Sequence, residues 1–209
     1  SSTNPDLISG GGLEQGVTGP GTSKFQEADR RIEWQKQYPG WNLPAKPGVC
    51  ILVPQRSIDP LPANCKAVAH VLVARLGGRP PDNTDVSSFR TAIYTALIKA
   101  DNSGATSIAI PPVGGGLYGW PQRDVVSGIF GAITMFADKP RRPKHLQRIV
   151  FFDFDINDSS NKSPPFVPLF QSEVDARAAP PPPQPAAVVA PAVAPLPVPT
   201  PPLAVAPPP

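Results

Sequence analysis

Ile110–Pro121 reads IPPVGGGLYGWP, and Asn4–Glu14 reads NPDLISGGGLE. Each carries three consecutive glycines, and the two runs lie far apart in the chain. Glycine adopts φ > 0 without strain and lets backbone N–H groups approach an anionic oxygen with no side chain between them. Each run also precedes a stretch with helical spacing, whose positive N-terminal end would add to an anion site. Neither run is a Walker A loop, since no Gly-Lys-Ser/Thr follows, and neither carries the dinucleotide fingerprint with its trailing acid. Taken singly, each reads as a structural turn. As a pair, both closed by apolar and aromatic residues, they point to a phosphate site.

Working outward from the second run, Thr106–Pro111 (TSIAIP) predicts a buried strand entering it. Pro121 is placed to open a helix whose apolar face would be Val125, Val126, Ile129, Ile133 and Phe136. Upstream, Thr84 or Asp85 would cap a helix reaching about Ala100, with Val86, Phe89, Ile93 and Leu97 on one face, and Gly104 would end it. Val49–Val53, Ala67–Val73 and Gln147–Phe154 read as further strands. Ser23–Gln37 reads as a helix with Phe25, Ala28 and Ile32 near helical spacing, stopped by Tyr38-Pro39-Gly40. Strands alternating with helices predict an α/β domain with a mostly parallel sheet covered on both faces. Strand-to-helix loops then gather at the carboxyl edge of the sheet, where ligands bind.

The composition changes sharply near the end of the chain. From Ala178 to Pro209 there is no charged residue, and 14 of the 32 positions are proline. Such a segment buries too little to offset its ordering entropy, so a disordered, polyproline-II-leaning tail is expected over 172–209, with the folded domain over 1–171. All the charged residues lie before Ala178, and the formal charge of +3 includes no basic run, so nucleic acid is not expected as the main partner. Arg141, Arg142, Lys144 and Arg148 read as a solvated turn before a strand. Cys50 and Cys65 lack disulfide or zinc spacing and read as buried free thiols. His70 reads as a core histidine, and with only His145 besides it no metal site is expected. With no signal-peptide pattern and no apolar stretch of membrane-spanning length, a soluble, intracellular and cytoplasmic protein without membrane contact is expected.

The two loops resemble those of macro domains. The family's first loop looks like N-A-A-N-x-x-L-x-G-G-G-G-V-D-G, and Ser1–Gly16 reads SSTNPDLISGGGLEQG. Asn4 falls on the second Asn, Leu7 on the Leu, Gly10–Gly12 on the glycines, Leu13 on the Val and Glu14 on the Asp. The family's second loop looks like F-P-A-I-S-T-G-I-Y-G-Y-P, matching IPPVGGGLYGWP. Leu61-Pro62-Ala63 before Val68-Ala69-His70-Val71 is similar to the family's L-P-A-K-Y-V-I-H-T-V, and Ile149–Asp155 resembles its closing strand.

The resemblance implies a three-layer α/β/α fold on a mixed sheet that binds ADP-ribose, free or on mono-ADP-ribosylated proteins, with no cofactor. By the same resemblance, Gly10, Gly11, Gly12, Gly114, Gly115, Gly116, Leu117 and Gly119 would wrap the diphosphate, and the backbone at Leu13 would cover it. Asn4 would bond the distal ribose, Tyr118 would pack on it, and Phe154 would stack on adenine. Trp120 reads instead as a cover for the helix below it. Glu14, with Asn4, would form the catalytic set of a mono-ADP-ribosyl hydrolase, its carboxylate accepting a proton from the attacking water. The sequence departs from the pattern at Ser1, which replaces the first Asn, at Gly114-Gly115, where Ser-Thr is usual, and at Glu14, one methylene longer than Asp. The family's first strands are expected upstream of Ser1.

Two rival readings differ in class. One is an ADP-ribose reader without turnover. The other is a scaffold acting through its tail, where Pro195–Pro202 (PLPVPTPP) has spacing suited to SH3 or WW grooves. A macro domain beside a proline-rich segment also resembles parts of viral replicase polyproteins.

Overall fold

The structure is a computed structural model and describes residues 5–7, 23–55, 64–138, 143–153 and 165–178, with side chains in the first helix from Glu27 onward. Two units divide the chain, Ser1–Ala178 and Ala179–Pro209, and all described residues belong to the first. In chain order the elements are α1 (Ser23–Gln37), β1 (Cys50–Pro54), β2 (Ala67–Val71), α2 (Asn83–Asn102), β3 (Ser107–Ile110), α3 (Gln122–Ala137), β4 (Arg148–Phe151) and α4 (Val167–Ala178). Ser172, where the sequence places the start of the tail, falls inside α4.

Among the described residues the strands form two pairs. β1 and β2 are antiparallel, with Ile51 opposite His70, and β3 and β4 are parallel, with Ile108 opposite Ile149. The arrangement is therefore mixed, as the family resemblance implies and strand–helix alternation alone does not. Thr106–Pro111 was expected to be a buried strand, yet Ser107 and Ala109 are exposed and only Ile110 in β3 is buried. Ser107 and Ala109 share one face of β3, and that face is the open one, opposite Ile108 and Ile110.

Alternation along β1 and β2 sends side chains to two cores. Cys50 and Val71 join α2 and α3 in the larger core, around Phe89, Ile93, Leu97, Val125 and Ile129. Ile51, Val53 and Leu72 join Trp34 of α1 in the smaller one, together with Ala45 and Leu7. Helices thus cover β1–β2 from both faces, giving three layers.

The face of α1 differs from the one that apolar spacing predicts. Ala28 is exposed and Ile32 is 42% exposed, while Asp29, Arg30, Glu33 and Trp34 are buried. Trp34 is the anchor: it stacks on Tyr38 at 4.6 Å, and its Nε1 donates to Trp41 O at 3.2 Å. An indole buries more area than the isoleucine it displaces, and the helix rotates to place it inward. Burial lowers the Arg30 pKa to about 10, which still leaves it charged at neutral pH.

α2 begins two or three residues earlier than predicted. Its cap is Asp82, which accepts from Asp85 N at 2.9 Å, while the Asp85 carboxylate accepts from Asp82 N at 3.0 Å. This reciprocal pair satisfies two of the N–H groups a helix start leaves open. Arg79 adds a two-pronged contact to the same carboxylate, with Nη2 donating to Oδ1 at 3.1 Å. The Arg79 guanidinium is the main cause holding the Asp85 carboxyl below the usual carboxylate range.

α3 packs on α2 through its glycines. A Cβ at Gly128 would lie 2.7 Å from the Phe89 ring, and one at Gly131 would lie 2.9 Å from Arg90 Nε. Absence of side chains there lets the helices close, and burial of Phe89 contributes about 2–3 kcal/mol. α4, which the sequence reading lacks, docks on α3 and β4 through aromatics: Phe170 stacks on Phe151 at 4.5 Å, with Phe130 alongside. Cys50 is buried, and burial pushes its thiol up to about 12; Cys65 is only half-buried, so the expectation of two buried thiols holds for one. No described helix is long and apolar enough to cross a membrane.

Candidate functional site

The second glycine loop leaves β3 at Ile110 and enters α3 at Gln122, so strand and helix fix both of its ends. Four internal hydrogen bonds fold it. Val113 N donates to Pro111 O at 2.7 Å, Gly115 N to Pro112 O at 3.1 Å, Gly119 N to Gly116 O at 2.9 Å and Trp120 N to Gly114 O at 3.1 Å. Gly114 (φ 82°) and Gly119 (φ 74°) occupy the left-handed region that side chains resist.

Two contacts from the segment after β2 clamp the loop. Leu76 N donates to Tyr118 O at 2.8 Å, and Trp120 Nε1 donates to Ala74 O at 2.7 Å. The Trp120 ring is buried against Phe89 at 4.7 Å, the covering role expected from the sequence. Gly119 lies beside Gly77 and Gly78, where a Cβ would be 3.7 Å from Gly78 N.

The tip of the loop is left open. Leu117 is 75% exposed, and among the described residues no acceptor meets the N–H groups of Gly116 or Leu117. Two adjacent amides on a rigid turn are suited to an anionic oxygen. The first turn of α3 lies close by in sequence and has no side-chain cap at Pro121. Tyr118 is half-buried; burial raises its hydroxyl pKa, and the nearby Arg75 charge acts in the opposite direction. Arg75 makes no ion pair among the described residues. Sequence reasoning missed it because a lone arginine after a strand carries no pattern; only its spatial neighbour Tyr118 marks it.

Of the first loop, the structure describes Pro5–Leu7. Leu7 is fully buried in the smaller core at φ 60°, and Pro5 O accepts from Ala45 N at 2.8 Å. The loop is thereby fastened at its start. Asn4, Gly10, Gly11, Gly12, Leu13, Glu14 and Phe154 lie outside the described residues, so the structure brings together Gly114–Gly119 and their clamps but not the two loops. His70 is fully buried in β2, and burial lowers its pKa well below the ordinary value, in keeping with a core role. No group of three or more metal-ligating side chains forms among the described residues.

A family model described as the macro domain matches residues 1–129. Among solved structures, the Oceanobacillus iheyensis macrodomain with MES bound aligns at TM-score 0.63 and 16% identity, covering 85% of this chain and 82% of that one. A variant of the same protein with ADPR aligns at TM-score 0.63 and 16% identity, over 85% and 84%. The Trypanosoma brucei macrodomain in complex with ADP-ribose aligns at TM-score 0.58 and 19% identity, over 83% of this chain and 61% of that one. Among curated proteins no match is found. At these identities the structural likeness establishes the fold.

Proposed function

Because the chain belongs to the macro domain family, we propose that it binds ADP-ribose, free or attached to protein, across its two glycine loops. The observation that carries this reading is the open amide pair at Gly116 and Leu117 on a loop clamped through Tyr118 and Trp120. A diphosphate accepts such N–H donors without requiring a cation at each oxygen. In this reading Gly10–Gly12 and Leu13 cover the other side of the diphosphate. Asn4 and Tyr118 take the distal ribose, and Phe154 takes adenine. The oligophosphate-bound relatives support the ligand class. Titration calorimetry of the chain with ADP-ribose, with AMP as control, tests it. Micromolar binding that AMP does not reproduce is the expected result, and absence of heat overturns the reading.

The finer proposal is removal of mono-ADP-ribose from proteins by hydrolysis. Water attacks the anomeric carbon, the bond to the protein-side oxygen breaks with its electron pair leaving on that oxygen, and Glu14 takes the water's proton. Its support is the position of Glu14 directly after the glycines and Leu13. Glu14→Gln is expected to abolish turnover and keep binding. Undiminished turnover would remove Glu14 from the chemistry, and binding without turnover in the unaltered protein would leave a reader.

A further inference from the structure

Gly115 stands where macro domains usually carry a hydroxyl side chain, and the space beside it is filled from elsewhere in the chain. A Cβ at Gly115 would lie 2.4 Å from Cζ and 3.0 Å from Cε2 of the Phe166 ring. Gly115 does not take a left-handed φ, so its backbone would admit a side chain; the ring is the main obstacle, with Pro112 O a milder one at 3.2 Å. Phe166 is itself held firmly. It is buried in the larger core, its N–H donates to the Asp153 carboxylate, and its carbonyl accepts from Leu169 N and Phe170 N at 3.0 Å each. Its ring lies 6.2 Å from that of Phe170, which is stacked in turn on Phe151. The ring therefore cannot swing away without disturbing the aromatic contacts that dock α4.

We propose that Phe166 is a positioning residue of the second glycine loop: its ring is the floor on which Gly115 rests, and through that contact it sets the open amides of Gly116 and Leu117. The loop's four internal bonds alone leave Gly114–Gly116 free to sink toward the protein, because three glycines offer no side chain to brace them. Phe166 supplies the missing brace from the residue just before α4. A misplacement of even an ångström at an oriented binding group costs much of its effect. The affinity consequence rests on the ADP-ribose reading; the positioning itself does not.

The test is a reciprocal pair of substitutions. Phe166→Ala removes the floor and Gly115→Ala collides with it, so each alone is expected to weaken ADP-ribose binding roughly tenfold, about 1.4 kcal/mol. In the double variant the new methyl occupies space the ring has vacated, and affinity is expected to recover most of the way. A purely structural contribution of Phe166 predicts losses that add, and additive losses overturn the proposal, as does unchanged affinity in Phe166→Ala. Hydrogen exchange on the ligand-free protein provides a readout that needs no ligand. In Phe166→Ala the amides of Gly115, Gly119 and Trp120 should exchange faster while those in the middle of α2 keep their protection. Unchanged exchange in the loop overturns the positioning claim even if the unaltered protein fails to bind ADP-ribose. Loss of protection throughout α2 likewise overturns it, and Phe166→Leu, which keeps the core filled, repeats the test without that disruption.

Discussion

The Gln37 side chain pairs with the Leu52 backbone as a neighbouring strand would: Nε2 donates to Leu52 O at 2.7 Å, and Leu52 N donates to Oε1 at 3.1 Å. Two residues away, Cys50 N donates to Tyr38 OH at 3.2 Å, and Cys50 O accepts from Tyr38 OH at 2.8 Å and from Lys99 Nζ at 2.6 Å. The next position facing that way is Pro54, which has no N–H to satisfy. The end of α1 and one lysine of α2 thereby complete the edge of β1.

Gln37→Ala is expected to lower stability by about 1–3 kcal/mol, because two backbone groups lose their partners in a part-buried position. Urea unfolding at neutral pH checks this. A change within error would mean that water replaces the carboxamide at no cost.

Gly114 and Gly116 should separate structural from ligand-facing glycines. Gly114→Ala forces a side chain into a left-handed φ and to 2.9 Å from Trp120 Cδ1, so a loss of at least about 1–2 kcal/mol in unfolding free energy is expected. Gly116 has nothing within 4 Å of a built Cβ and no positive φ. Gly116→Ala should leave thermal stability unchanged and weaken ADP-ribose binding. Equal stability losses in both variants would contradict the geometry.

Acid sensitivity should begin with His70. Burial depresses its folded-state pKa well below 6.5, so the unfolded chain binds its proton first as pH falls. Stability is then flat above the unfolded value and declines below it, by up to about 1.4 kcal/mol per pH unit for one proton. Urea midpoints measured from pH 7.5 to 5 should fall, and His70→Asn should flatten the curve in that window. An equal slope in the variant would assign the sensitivity elsewhere.

Asp101 should act in a lower window. Its carboxylate accepts from Leu146 N at 2.8 Å, His145 N at 2.7 Å and Lys144 N at 3.1 Å, bonds that lower its pKa. A depressed carboxyl contributes stability above its unfolded value, and that contribution is lost as pH drops through the folded one. Asp101→Ala should therefore cost several degrees of Tm at neutral pH and little at acid pH, with faster exchange at residues 144–146. A deficit that persists undiminished in acid would show that the charge is not what matters there.

The sequence carries the loops and the element order because both are local. Glycine runs, strand runs such as Val49–Val53 and the Phe89–Ile93–Leu97 face show directly in residue order, and Asp82 with Asp85 is a visible capping pair once the start of α2 is set. The face of α1 is not visible in the same way. Its buried side is built from Asp29, Arg30, Glu33 and Trp34, residue types that apolar spacing discounts. α4 escapes for a related reason: Phe170 is the one residue it buries, so no period marks it. The contact of Phe166 with Gly115 joins distant segments, and nothing at either position announces the other.

A strand edge whose donors and acceptors are already satisfied offers nothing for a second chain to copy. At β1 the outward groups of Cys50 and Leu52 are engaged by Tyr38, Lys99 and Gln37, and Pro54 withholds a donor altogether. Edge-to-edge extension of the β1–β2 pair by another chain is opposed along β1, and three side chains, Gln37, Tyr38 and Lys99, provide that protection.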